Sequence, residues 1–137
     1  MNPLPKEQAT AALNLINPAN HILLVSHKRP DGDTLGAQCA LSFALRQMGK
    51  QTTLACIDEI PSRLKFIPGT EEYVSSFNMD LFDLIVISDA GASHMTGYHE
   101  IYPDFISKKV PILNIDHHAS NEGFGTVNLV DEKASSA

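Results

Sequence analysis

Three short stretches hold the side chains that could do chemistry. They are His27-Lys28-Arg29-Pro30-Asp31-Gly32-Asp33, Ser88-Asp89, and Asp116-His117-His118. Carboxylate oxygens and imidazole nitrogens are good ligands for divalent cations such as manganese, and poor ones for thiolate-seeking metals. His27, Asp31, Asp33, Asp89, Asp116, His117 and His118 together offer more ligands than one ion needs. In the first stretch, Pro30 stiffens the loop and Gly32 lets the backbone turn between the two carboxylates. Taken alone, Asp31-Gly32 reads equally as a turn and Asp33 as a helix cap. Asp89 alone reads as a turn residue, but it follows the most apolar run of the chain. A carboxylate buried there needs a strong partner, and a metal pair bridged by it would be one. His117 and His118 are adjacent and project in different directions. One can bind a metal while the other faces substrate, and a neighbouring carboxylate can orient an imidazole through its second nitrogen.

Each stretch follows a run that reads as a buried strand: His21–Ser26, Leu81–Ile87 and Val110–Ile115. In an open parallel sheet, ligands collect outside the carboxyl ends of the strands. The remaining elements supply the scaffold. Lys6–Ile16 has Ala9, Ala12, Leu13 and Ile16 at helical spacing. Thr34–Met48 reads as a second helix, with Asp33 at the N-cap and Gly49 at the left-handed C-cap. Gln51–Ile57 and Thr126–Val130 read as strands, and Pro61–Phe66 as a short helix or turn. Tyr73–Val74 starts a short extended piece, and Tyr98–Ile106 reads as a helix interrupted at Pro103. This alternation predicts an α/β fold, a parallel β-sheet with helices on both faces.

The chain has 137 residues, enough for one core, with 43% hydrophobic and 19% charged residues. No apolar run reaches the roughly 20 residues of a membrane span, and the first residues have no secretory-signal pattern. A cytoplasmic location is the default expectation. The net charge of −6 argues against long-duplex nucleic acid as a partner, because such binding shows a basic footprint. It leaves a small phosphorylated substrate open, since bound cations reverse the sign of a carboxylate-rich pocket. Cys39 and Cys56 form no Cys-x-x-Cys pair and read as buried free thiols. His21, His94 and His99 stand outside the pattern and read as surface or packing residues. No Gly-x-Ser-x-Gly, Walker loop or Gly-x-Gly-x-x-Gly occurs, so a serine hydrolase, P-loop or dinucleotide fold has no support.

The constellation resembles the DHH phosphoesterase superfamily. His27-x-x-Pro30-Asp31-Gly32-Asp33 is similar to its first motif, Asp89 to its second, and Asp116-His117-His118 to the motif that names it. Leu41–Lys50, Ile60–Gly69, Asn121, Phe124-Gly125, Asn128 and Ala134-Ser135-Ser136 resemble the bacterial oligoribonuclease and pAp phosphatase branch, the NrnA-like nanoRNases. The resemblance covers roughly residues 5–137. It implies that His27, Asp31 and Asp89 hold one manganese ion and that Asp33, Asp89 and His117 hold a second. Mg2+ and Co2+ would be substitutes. Asp116 would support the His cluster, and His118 would contact the phosphate and assist catalysis.

The implied activity is two-metal hydrolysis of short RNA oligonucleotides to mononucleotides, removal of the 3′-phosphate of pAp, or both. A cyclic dinucleotide phosphodiesterase of the same superfamily and a non-catalytic metal-binding remnant are the alternatives. Members of the family carry a further metal-binding aspartate downstream of Ala-Ser-Ser and a C-terminal DHHA1 substrate-binding domain. Met95 stands near a place where relatives often have Arg. Residues 1–137 are therefore expected to be a truncated N-terminal DHH domain, whose activity in isolation is in question. A homodimer is left open.

Overall fold

The computed structural model describes residues 4–107 and 109–137; the opening of the chain read for a secretory signal lies partly outside these. Five parallel strands form one sheet: β1 (His21–Val25), β2 (Gln51–Ala55), β3 (Leu84–Ser88), β4 (Ile112–Asp116) and β5 (Val127–Val130). Their spatial order is β2-β1-β3-β4-β5. The chain thus starts inside the sheet, steps to one side for β2, then crosses back to build β3, β4 and β5. The reversal lies between β1 and β3, which pair Ile22 with Leu84 and Val25 with Ile87.

Side chains alternate across each strand, so one sequence feeds two cores. Ile22, Leu24, Leu54, Leu84, Val86 and Leu113 face α1 (Lys6–Ile16) and α2 (Gly32–Gln47), whose Ala12, Ile16, Cys39 and Leu45 pack on them. Leu23, Val25, Ile85, Ile87 and Ile112 face the opposite layer. That layer consists of loop and 3-10 turns rather than α-helix. Phe82, Tyr98 and Phe105 fill it, and the rings of Phe77 and Tyr102 stack at 4.6 Å. β3 is buried along its whole length, as expected of a strand covered on both faces.

Several boundaries differ from the sequence expectation for local reasons. The second helix begins at Gly32, and its N-cap is Asp31, not Asp33. Asp31 holds an extended backbone and its Oδ1 accepts the Thr34 N–H at 3.0 Å. Gly49 does take the left-handed conformation after the helix, at φ 83°. Tyr98–Ile106 does not form a helix. Only Tyr98–Glu100 makes a 3-10 turn, entered through Gly97 at φ 79°, and Pro103 has no N–H to extend it. β3 starts at Leu84 rather than Leu81 because Met79–Leu81 is a 3-10 turn capped by Asn78. The first helix buries Ala12 and Ile16 but leaves Leu13 half exposed. Val74 pairs with Ala55 in an isolated parallel bridge, the extended piece expected there.

Candidate metal centre

His27 follows β1 and Asp89 follows β3, so the two flank the place where the strand order reverses, the usual ligand crevice of an open α/β sheet. Helix α2 brings Asp31 and Asp33 to the same crevice from its first turn. Beneath them, the Ser26 and Thr34 hydroxyls lie 3.2 Å apart, and Thr34 Oγ1 donates to the Ser88 carbonyl at 3.3 Å. These buried contacts tie the start of α2 to the ends of β1 and β3. β4 delivers Asp116, His117 and His118 from the other side.

Asp89 is the centre of the cluster. It is only 4% exposed, and its backbone is left-handed at φ 63°, a conformation that Asp tolerates better than most residues. Its Oδ2 faces His27 Nε2 at 3.6 Å, and its Oδ1 faces His117 Nε2 at 3.1 Å. His27 Nε2 is also 3.7 Å from Asp31 Oδ1, and His117 Nε2 is 3.2 Å from Asp33 Oδ2. One carboxylate therefore joins two donor groups: His27 with Asp31, and His117 with Asp33.

The far side of each imidazole fixes its tautomer. His27 Nδ1 donates to the Lys28 carbonyl, and His117 Nδ1 donates to the Ala134 carbonyl at 3.2 Å. With Nδ1–H committed to a carbonyl, the neutral ring presents the Nε2 lone pair to the carboxylates. Lone pair then faces lone pair, an arrangement suited to a cation between them. Asp89 raises the His27 pKa above its ordinary value against the effect of burial. Burial alone would lower His117, but Asp89 and the Ala134 carbonyl reverse the sign and raise it. Burial pushes the Asp89 carboxyl up, and His27 and His117 outweigh it and hold it below the usual value. Asp33 moves the other way, raised by burial and by the charge of Asp89. The donor set fits divalent cations: oxygens and imidazole nitrogens, with two ligand-atom groups converging within 4.8 Å, one containing His27, Asp31 and Asp89, the other Asp89, Asp116, His117 and His118.

Asp116 belongs to that second group by distance, but its oxygens are already engaged. Oδ1 accepts from His118 Nδ1 at 2.7 Å and from the His117 backbone at 2.8 Å. Oδ2 accepts from Asn121 Nδ2 at 2.8 Å. Burial pushes this carboxyl up, and Asn121 and His118 more than offset it. Asn121 in turn donates to Asn114 Oδ1 at 2.7 Å, and Asn114 donates to the Ile87 and Ala90 carbonyls. This chain of amides ends on His118, which is 46% exposed and keeps Nε2 for a ligand. Sequence reasoning did not single out Asn114. Its signal was a polar residue inside the apolar run Val110–Ile115, since a buried amide in a strand must have partners. His21 packs on Phe82 at 4.6 Å and is 3.0 Å from Thr53 Oγ1, while His94 and His99 pair edge to face; none of the three joins the cluster.

A family model described as the DHH family, N-terminal domain, matches residues 21–137. Curated relatives include the bifunctional oligoribonuclease and PAP phosphatase NrnA of Thermus thermophilus, 30% identical over 119 residues, covering 85% of this chain and 34% of that protein. The Mycoplasma genitalium protein of the same name is 30% identical over 132 residues, covering 94% of this chain and 40% of its own length. The chain therefore spans well under half of these relatives. A solved structure of an exopolyphosphatase-related protein from Bacteroides fragilis superposes with a TM-score of 0.86 at 21% identity, covering 99% of this chain and 42% of that one. That likeness shows a shared fold. With the family model covering most of the residues, the chain belongs to the DHH family, and the match lies in that family's N-terminal domain.

Proposed function

We propose that this chain is the metal-holding part of a phosphoesterase that acts on short oligoribonucleotides and on 3′,5′-bisphosphate nucleotides. The observation that carries the reading is Asp89, a buried carboxylate whose two oxygens face two different imidazole–carboxylate groups. The substrate class comes from the relatives, whose names give oligoribonuclease and PAP phosphatase activities. His27, Asp31 and Asp89 would hold one divalent ion, and Asp33, Asp89 and His117 the other. Manganese suits this mixture of oxygen and imidazole, with magnesium or cobalt as substitutes. Such ions supply Lewis-acid charge to a phosphoryl group.

The chain's own residues would do the rest. Asp116 would hold His118 by Nδ1, so that Nε2 faces the phosphate. The Lys28 and Ala134 carbonyls would keep His27 and His117 in the tautomer a cation needs.

The test is release of mononucleotide from a 5′-phosphorylated RNA dinucleotide, and of phosphate from pAp, with manganese and with chelator. Chelator-sensitive release from either substrate is the expected result. Hydrolysis that survives chelation overturns the metal role. Manganese uptake without hydrolysis would reduce the chain to a metal-binding module, and preferential hydrolysis of a cyclic dinucleotide would move it to another substrate class.

A further inference from the structure

Beside the acid cluster, past the carboxyl end of β2, lies a cavity of about 400 Å³. That volume is in the range of small-molecule sites, roughly 300–1,000 Å³. We propose that it is a nucleoside subsite, which takes the base and ribose of a nucleotide whose phosphate sits at the acid cluster. The inference rests on the phosphoesterase reading and adds where the rest of the substrate goes.

Position is the first reason. β2 neighbours β1 in the sheet, so the loop after β2 that lines the cavity lies beside the loop that carries His27. Two hydrogen bonds join that loop to the cavity lining. The Arg29 backbone N–H donates to Asp58 Oδ2 at 2.8 Å, and Cys56 Sγ–H donates to the His27 carbonyl at 3.5 Å. Arg29 makes the first of these from a left-handed backbone at φ 52°, an uncommon conformation for a residue with a side chain. The loop that holds His27 and Asp31 therefore also shapes the cavity's near wall.

Chemistry is the second. Ile60, Tyr73 and Val74 give the cavity an apolar side, suited to the face of a planar base. Asp58, Glu59 and Glu71 give it acceptors, against the single ammonium of Lys65. A wall with that charge balance repels a phosphate and accepts hydrogen bonds from ribose hydroxyls and exocyclic amines.

The experiment is NMR titration of the magnesium-loaded chain with 5′-AMP and with ribose 5-phosphate. Expected are amide shifts in residues 56–60 and 73–75 with 5′-AMP but not with ribose 5-phosphate, and tighter binding of 5′-AMP. Val74→Trp, which fills the cavity, should weaken 5′-AMP about tenfold and leave ribose 5-phosphate unchanged. Glu59→Gln, at an exposed position, should weaken 5′-AMP severalfold and serves if the tryptophan variant fails to fold. Equal binding of the two ligands, no binding at millimolar concentration, or 5′-AMP shifts confined to 27–33, 89 and 116–118 would overturn the subsite. Nucleotide hydrolysis with a silent cavity would overturn the subsite and leave the phosphoesterase reading intact. Cavity shifts without any hydrolysis would do the reverse.

Discussion

His117 Nε2 lies 3.1 Å from Asp89 Oδ1 while the opposite nitrogen of the same ring donates to the Ala134 carbonyl. The carbonyl can only accept, so it decides which nitrogen carries the proton. The ring then offers Asp89 a lone pair, an arrangement that suits a bound cation. Asp89→Asn tests this directly. Asn tolerates the left-handed backbone that Asp89 occupies, so the fold should survive. Manganese affinity should fall at least about 100-fold, and metal-dependent turnover should be lost. Calorimetric titration with manganese, with circular dichroism as the control for folding, reads the result. Wild-type affinity in the variant would remove Asp89 from the centre of the site.

His118 should behave differently from its neighbour. Its Nδ1 is held by Asp116 and its ring is nearly half exposed. His118→Asn is expected to bind manganese as the wild type does, within about twofold, while turnover falls by roughly 10²–10⁴, the range for a lost proton-transfer group. Parallel loss of affinity and rate would instead make His118 a ligand.

Two glycines should respond oppositely to a methyl group. Gly36 sits inside α2, and a Cβ added there would meet nothing within 4 Å, so Gly36→Ala should stabilise the protein by about 0.5–1 kcal/mol. A Cβ on Gly125 would meet the Val127 carbonyl at 2.7 Å, Asn128 Oδ1 at 2.9 Å and the Ile112 carbonyl at 3.1 Å. Gly125→Ala should cost about 1–3 kcal/mol and loosen β5. Urea denaturation of both variants reads the two signs, and equal midpoints would contradict the packing described for the β4–β5 turn.

Burial pushes the Cys39 thiol up to about 11, with Glu71 and Glu72 adding to the shift. Burial likewise raises Cys56, Tyr73 and Tyr98. In the unfolded chain these thiols and phenols ionise near their ordinary values of 9.0 and 10.0. Above pH about 9 the folded protein thus holds more protons than the unfolded one, and its stability falls as pH rises. The urea midpoint should decline as pH rises above about 9, and alkylation of the native thiols should be slow near neutrality. A midpoint unchanged through about pH 10.5 would contradict the burial of these groups.

The members of the candidate cluster were legible in the sequence because carboxylate and imidazole residues stood directly after apolar runs, and a parallel strand delivers its next residues to one edge of the sheet. That is why His27, Asp31, Asp33, Asp89, Asp116 and His117 stand out by type and spacing alone. Roles that depend on side-chain direction were less legible. Asp31 and Asp33 are both plausible caps by type, and only the register of α2 made Asp31 the cap and turned Asp33 toward His117.

By itself the sequence determined the strands, the first two helices and the residue types at the strand ends, since apolar runs, glycine and proline act through neighbours in the chain. Tertiary structure decided the rest. Strand order placed β1 against β3, and so His27 against Asp89, a relation between residues far apart in the chain that no local pattern encodes. It also decided that Asp116 spends its oxygens on His118, the His117 backbone and Asn121, and that the second face of the sheet is covered by aromatic turns. Hydrogen bonds and packing across the sheet are set by which strands become neighbours, and that choice is made only when the whole core closes.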